Sequence, residues 1–438
     1  MFRLTIIMLL LWVPSLLINW ENLNNFFIWR HQLTLISGFL GLGYMAIAML
    51  LAMRFQWIEQ IVKGLDKAYN IHKKLGIGVI VSLLFHWLIV KSGPWLVKAN
   101  IIDNPNRRMQ PETIGIPWRA IAEQVGDISF KIFIIFSIIS LLQAISYKKF
   151  KFIHKIGGIL MIAGIFHTAF LLDWNIATVP MNITIVIISI IGIWCSWLSL
   201  SGRIGRKNKV NGFVENIKRF STPSKPTVVN RVSIRLESKI NYKEGQFVYL
   251  DFHDGESPHP FSVLNFDAKT KIIEFGIKDL GDYTHLLVNK LKIGQHVTVE
   301  GGYGFFHIPN AKQQVWIGAG IGIIPFISYL YWLKNINRTQ LTKVDNVTLF
   351  YCVKSKDDAF FYDEILSIIK DLNYIDIQII CSENTEKLNG SKIIDIANSN
   401  NFDICFCGPQ QFGDNLKLEL NNLGIPKNRF HTELFKMR

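Results

Sequence analysis

Four histidines, His72, His86, His154 and His167, stand on two apolar stretches of a 438-residue chain. Imidazole is a ready metal ligand, and a polar group inside an apolar helix is expensive unless it serves a site. His72 and His86 are 14 residues apart, nearly four helical turns and about 21 Å of rise, so both rings face almost the same way. His154 and His167 are 13 apart, and on an ideal helix their directions differ by about 140°. Gly157, Gly158 and Gly164 lie between them and offer room for local over- or underwinding. Side-chain rotamers and helix tilt are the other ways to absorb the misfit.

The elements that must carry these rings are membrane spans. Apolar runs at Leu4–Ile18, Leu33–Met53, Ile77–Val90, Ile128–Ile145, Ile156–Leu172 and Ile183–Leu200 crowd the first half of the chain. With their uncharged flanks most approach the ~20 residues that cross a bilayer, giving six transmembrane helices. The third and fifth spans run in the same direction, so His72 lies level with His154 and His86 level with His167. Two imidazoles facing each other at one depth form a bis-histidine haem site, and two such sites stacked form an electron wire through the membrane. Singly, His72 and His154 read as interfacial residues beside Lys73 and Lys155; pairing by depth favours haem. Zinc fits less well, because each pair offers only two ligands and the pairs lie too far apart to combine.

The formal charge of +14 suggests nucleic acid at first sight, but much of it flanks the apolar runs. Arg54, Lys63, Lys67, Lys73 and Lys74 follow the second span, Lys148, Lys149, Lys151 and Lys155 follow the fourth, and Arg203, Arg206, Lys207 and Lys209 follow the sixth. The positive-inside bias puts those loops and both termini in the cytoplasm, leaves the 92–126 loop outside, and removes nucleic acid as a partner. Met1–Trp20 reads as an uncleaved first span rather than a signal peptide, since no small-residue cleavage site follows it. Arg30 and His31, at the outer mouth of the second span, read as interfacial anchors, with Arg30 also placed to meet a cofactor carboxylate. The cysteines, Cys195, Cys352, Cys381, Cys405 and Cys407, have no CxxC or ferredoxin spacing, so reduced thiols and no iron–sulfur cluster are expected.

After about Arg203 the composition turns soluble. Strands at Phe213–Phe220, Thr227–Leu236, Gly245–Phe252, Ile272–Lys278 and His296–Glu300, punctuated by glycine, predict a small β-barrel. The motifs His259-Pro260-Phe261-Ser262, the turn Gly281-Asp282-Tyr283-Thr284, and Gly301-Gly302-Tyr303-Gly304 lie among them. From Val315 strands and helices alternate, as in a parallel sheet that binds nucleotide at its carboxyl ends. The Gly318–Gly322 turn between a buried strand and an apolar helix suits a pyrophosphate, although GxGxG falls short of the full dinucleotide fingerprint.

In order, HPFS, GDYT, GGYG, GAGIGIIPFIS, CGP and a terminal glutamate and aromatic resemble the flavin- and nicotinamide-binding module of ferredoxin–NADP reductases. Joined to six spans with two spaced histidine pairs, the chain resembles the ferric reductase and NADPH oxidase superfamily, bacterial NADPH oxidase-like members above all. The resemblance implies a haem domain at 1–202, an FAD-binding β-barrel domain at 203–313 and an NAD(P)-binding α/β domain at 314–438. It implies that His259, Pro260, Phe261 and Ser262 line the flavin, and that Gly281, Tyr283 and Thr284 take its pyrophosphate. Gly318, Gly320 and Gly322 would cradle the nicotinamide dinucleotide, with Cys407, Gly408 and Pro409 beside the nicotinamide. Glu433 and Phe435 match the terminal motif, Phe435 covering the flavin face, although a terminal core residue would look the same. Where members selective for NADPH often carry arginine, this chain has Lys354, which leans toward NADPH over NADH without settling it.

The resulting expectation is a transmembrane oxidoreductase of a bacterial inner membrane, with FAD and two b haems. Electrons from cytoplasmic NAD(P)H would reach an outer acceptor, dioxygen in the leading reading and a ferric or cupric chelate in the alternative. A nucleotide-regulated channel or transporter is the rival of another class, opposed by the scarcity of carboxylates in the spans. A flavin reductase using the spans only as an anchor is a third.

Overall fold

In the computed structural model the described residues are 1–18, 25–103, 116–141, 147–172, 174, 178–222, 225–309, 311–335, 344–383, 387–397 and 401–432. They fall into two compact units, Met1–Ile58 with Lys67–Ile204, and Glu59–Asp66 with Gly205–Arg438.

The first unit is helical: α1 (Phe2–Ile18), α2 (Phe26–Ala52), α3 (Gln56–Val62, which runs on into the second unit), α4 (Leu65–Lys98), α5 (Trp118–Leu141), α6 (Tyr147–His154), α7 (Ile156–Leu171) and α8 (Val179–Leu200). Among the described residues five stretches are long and apolar enough to cross a membrane: α2, α4, α5, Lys149–Leu171 and α8. The 17-residue α1 is apolar apart from Arg3, Thr5 and Ser15, but shorter. The burial pattern suits a hydrocarbon solvent. Ile77, Val81, Leu84, Phe85 and Leu88 of α4 are all exposed, a display that water would not tolerate but that lipid does. Pro94 inside α4 removes the N–H that Val90 would otherwise receive, and the Arg30 guanidinium supplies donors in its place, to Val90 O at 2.8 Å and Ile89 O at 3.1 Å.

The second unit begins with a closed barrel of β1 (Lys209–Thr222), β2 (Lys225–Leu236), β3 (Phe247–Asp251), β4 (His259–Asp267), β5 (Ile272–Lys278) and β6 (His296–Tyr303), in the order β1-β2-β5-β4-β3-β6. All its pairings are antiparallel. Alternation sends Val232, Ile234, Val248, Leu250, Val263, Phe275, Val297 and Val299 inward to a closed core. The HPFS motif, read above only as a motif, opens strand β4. The GDYT segment, expected as a turn, is instead the head of helix α9 (Asp282–Lys290). Thr284 explains the difference: its hydroxyl accepts from the N–H groups of Leu280 and Gly281 at 3.0 Å each and so caps the helix.

A five-stranded parallel sheet follows: β7 (Gln313–Ala319), β8 (Asn346–Val353), β9 (Ile375–Cys381), β10 (Asp403–Cys407) and β11 (Phe430–Thr432), ordered β11-β10-β7-β8-β9. Helices α10 (Ile324–Asn335), α11 (Tyr362–Ile369), α12 (Gly390–Ala397) and α13 (Gln410–Asn422) connect them. Strand order reverses at β7, so the crevice for a ligand opens at the carboxyl ends of β7 and β10. Arg231 of β2 fastens barrel to sheet, gripping Glu274 with two nitrogens (3.1 and 2.7 Å) and Glu364 of α11 with a third (2.7 Å).

Candidate functional site

The membrane unit brings the four histidines together in two pairs. The ring centres of His72 and His154 are 5.9 Å apart with planes inclined 58°, and those of His86 and His167 are 6.3 Å apart at 81°. Each ring is held from behind through Nδ1. His72 Nδ1 lies 2.7 Å from Ala48 O, His86 Nδ1 3.1 Å from Thr34 O, and His167 Nδ1 2.8 Å from Ala122 O. A carbonyl oxygen can only accept, so in these three rings Nδ1 carries the proton and Nε2 keeps its lone pair. His154 Nδ1 meets the Ser140 hydroxyl at 3.3 Å, and its ring stacks on both Phe136 and Phe150, with centres 5.2 and 4.9 Å away.

The angular misfit on the fifth span has a local solution. The helix is interrupted at Lys155, between His154 at the end of α6 and Ile156 at the start of α7. Around the break, Lys155 N–H bonds to Phe152 O and Gly158 N–H to Lys155 O, three residues back rather than four. Such tightened turns rotate the chain further per residue, in the sense that brings a 13-residue spacing back toward one face. His167 also needs Gly126 opposite it: a Cβ there would lie 2.2 Å from His167 Nδ1. The sequence offers a signal for this residue, a glycine inside an apolar helix, but not its partner.

In the soluble unit, Phe247 pairs with Ser262 on one side and Tyr303 on the other, so the HPFS and GGYG motifs lie in one row across three strands. The His259 ring stacks on Tyr283 at 3.9 Å, and Tyr283 donates to Asp254 at 3.0 Å. Burial, reinforced by Asp254, pushes the Tyr283 phenol well above its usual range. Pro260, Phe261 and Ser262 are half-buried along β4, and Gly281 stands just before α9.

Gly318 and Cys407 are register partners at the ends of β7 and β10, and Gly408 and Pro409 continue from there. Of the three glycines in the β7 turn, Gly318 and Gly322 are used for packing, since a Cβ would meet Ile323 Cα at 2.9 Å on the first and Cys407 O at 2.3 Å on the second. Gly320, at φ +57°, faces open space and suits the approach of a phosphate to its amide. The Cys407 side chain is fully buried. Lys354 is exposed just beyond β8. Half-buried Lys278, which sequence reading passed over, lies within electrostatic reach of Asp358 and Lys354; burial lowers its pKa, Asp358 raises it and Lys354 lowers it. Glu433 and Phe435 lie outside the described residues.

Comparison with known proteins bears on this arrangement. Residues 37–165 match the family model described as ferric reductase like transmembrane component, a match that includes His72, His86 and His154 and ends just before His167. Residues 37–165 thus resemble a ferric reductase like transmembrane component, and a six-stranded barrel and a five-stranded parallel sheet follow them in the chain. That match and the five long apolar helices mark a multi-pass membrane protein. The reductase component of propane 2-monooxygenase from Mycolicibacterium smegmatis is 26% identical over 173 residues, 37% of this chain and 48% of that protein. Its counterpart from Rhodococcus jostii is 24% identical over 242 residues, 51% of this chain and 64% of that protein. The chain thus spans less than two thirds of either relative. A solved ferredoxin–NADP+ reductase from Plasmodium falciparum aligns with TM-score 0.43 and 19% identity, covering 52% of this chain and 96% of that one.

Proposed function

We propose that the chain carries electrons from NAD(P)H through FAD and two b haems to an acceptor on the far side of a bacterial inner membrane. The haem domain is 1–202, the flavin domain 203–313 and the nicotinamide domain 314–438, the last two in the cytoplasm. The observation that carries the reading is the facing of two histidine pairs whose Nδ1 atoms are engaged from behind. Two imidazoles bound at about 2 Å to opposite sides of one metal ion have ring centres about 6 Å apart, and the observed 5.9 and 6.3 Å fit. Among the described residues no cluster of three or more histidine, cysteine or acidic side chains exists, so a bare ion would find only two protein ligands at each pair. A haem would bring its own remaining donors, and His72 with His154, and His86 with His167, would be the residues that hold it.

When bound, flavin converts the two-electron donor to single electrons, and haem passes them on one at a time. The chain's own task is to hold and orient. Ala48, Thr34 and Ala122 fix three imidazoles by backbone carbonyls, a support that sharpens ligand orientation and raises ligand basicity. In the soluble unit His259–Ser262, Gly281, Tyr283 and Thr284 frame the flavin. Gly320, Gly408, Pro409 and Lys354, joined by Lys278, frame the nicotinamide nucleotide. Positive charge from Lys354 and Lys278 favours NADPH over NADH.

Dioxygen is the acceptor in this reading, making the chain a superoxide-forming oxidase. The match of residues 37–165 to a ferric reductase like component supports a ferric or cupric chelate as the second reading. NAD(P)H-driven haem reduction in detergent, followed by oxygen consumption and chelate reduction, separates the two. Replacing His86 or His167 by alanine is expected to leave one haem per chain where the parent holds two. Two full haem equivalents in either variant would sink the assignment.

A further inference from the structure

Residues Glu59–Asp66 lie in the chain after the span α2 and reach into the head of α4, yet they pack as part of the second unit. The segment is closed at both ends. Glu59 Oε1 accepts from the Gly304 N–H at 2.6 Å, and the Glu59 carbonyl accepts from the Gly64 N–H at 3.0 Å. A Cβ on Gly64 would touch Phe305, so the loop lies flat against the residues that follow the GGYG motif. Glu59 is 6% exposed. The charged group that bears on it is Asp66, at the head of α4 and itself buried. The 301–306 turn presents backbone to it, and the turn's one ionisable side chain, Tyr303, is bonded to Glu300, which Lys209 faces at 3.7 Å. Exposed Lys63 lies on the same loop.

We propose that Glu59 is a proton-operated catch: the neutral carboxyl holds segment 59–66 on the Gly301–Gly304 turn, and ionisation loosens it. Burial pushes the carboxyl up to about 7, the N–H groups of Gly304 and Leu65 pull against that rise, and Asp66 adds to it. A pKa raised on docking means that the docked segment takes up a proton. The hold is therefore full below the free carboxyl's pKa and is lost as pH climbs through about 7.

The position of the catch gives it a use. Tyr303 lies in the same ladder row as Ser262, two strands away and thus about 10 Å, while His72 follows Asp66 by six residues along the chain. The use, unlike the catch itself, rests on the proposed function. Oxidation of NAD(P)H to NAD(P)+ releases two electrons and one proton, so electrons exported across the membrane leave a proton behind, and the catch tightens as protons accumulate.

Hydrogen–deuterium exchange on the full-length protein in lipid nanodiscs tests this without requiring turnover, and the haem content of the same sample reports separately on the proposed function. After correction for intrinsic exchange, peptides covering 59–66 and 301–306 are expected to be about tenfold better protected at about pH 6 than at about pH 8. Core peptides of β2 and β5 should not change. Glu59→Gln, a permanently neutral side chain, should keep the protection at both pH values. Equal protection of the parent at both pH values overturns the catch, as does a Glu59→Gln variant that retains the parent's pH dependence. Should that variant fail to fold, the parent's own two-pH comparison decides.

Discussion

The helix pair α2–α4 and the helix pair α5–α7 solve the same problem in different ways. On α4 the histidines are 14 residues apart, and the α2 carbonyls behind them, Ala48 and Thr34, are also 14 apart. Two regular antiparallel helices in constant register place both rings. Across α6 and α7 the spacing is 13 while the groups behind, Ser140 and Ala122 of α5, are 18 apart. No constant register connects them. The break at Lys155, the glycine at 126 and the phenyl rings around His154 make up the difference. One pair thus depends on helix geometry, and the other on local exceptions to it.

The largest effect should come from repairing the exception. Inserting one alanine between Gly164 and His167 lengthens the α7 spacing to that of α4, which an ideal helix would favour. In this fold the insertion turns His167 by about 100° away from His86. Loss of one of the two proposed haems is expected, read as haem per chain by the pyridine haemochrome spectrum. Full haem content in the insertion variant would mean that the break at Lys155 does not set the ring's direction.

Gly126→Ala should come next. Its Cβ would fall 2.2 Å from His167 Nδ1 and 2.4 Å from Cε1, so the ring must leave its place against Ala122 O. Loss of this support is expected to weaken binding at the proposed outer haem site by roughly 10–100-fold. The matching change on the regular pair, Gly38→Ala, sets a Cβ 3.2 Å from His86 Cε1, and a shift of a few tenths of an ångström relieves it. Titrating haem into the purified apoprotein of each variant checks the contrast, and equal losses would erase the distinction between the two pairs.

Much of this contrast could be read in the sequence, because span parity fixes which histidines share a depth without any knowledge of angle. Strand limits in the parallel sheet were also legible: Asp403–Cys407 is a short buried apolar run, and Ile375–Cys381, at the sheet's edge, alternates isoleucine with Asp376 and Gln378. Angle was not legible. It depends on hydrogen bonds around Lys155, and backbone carbonyls such as Ala48 O leave no mark in residue type. The GDYT helix was hidden because glycine and aspartate signal turns as readily as helix starts. The three-residue strand β11 is too short to show a period. The assignment of Glu59–Asp66 to the soluble unit was hidden by the cations around it, which read as topology signals and drew notice from the two acids.

The smallest effect should come from Ser140→Ala. A 3.3 Å contact between a neutral hydroxyl and His154 Nδ1 is a weak bond, with a net contribution of about 1 kcal/mol at most. Phe136 and Phe150 both stack on the His154 ring, and their stacking resists rotation after the hydroxyl is gone. Haem content should stay at the parental level, with affinity at the inner site changed by less than about fivefold. A loss as large as that of Gly126→Ala would show that the hydroxyl, not the phenyl pair, orients His154. Both rings of the irregular pair would then rely on Nδ1 support, as both rings of the regular pair do.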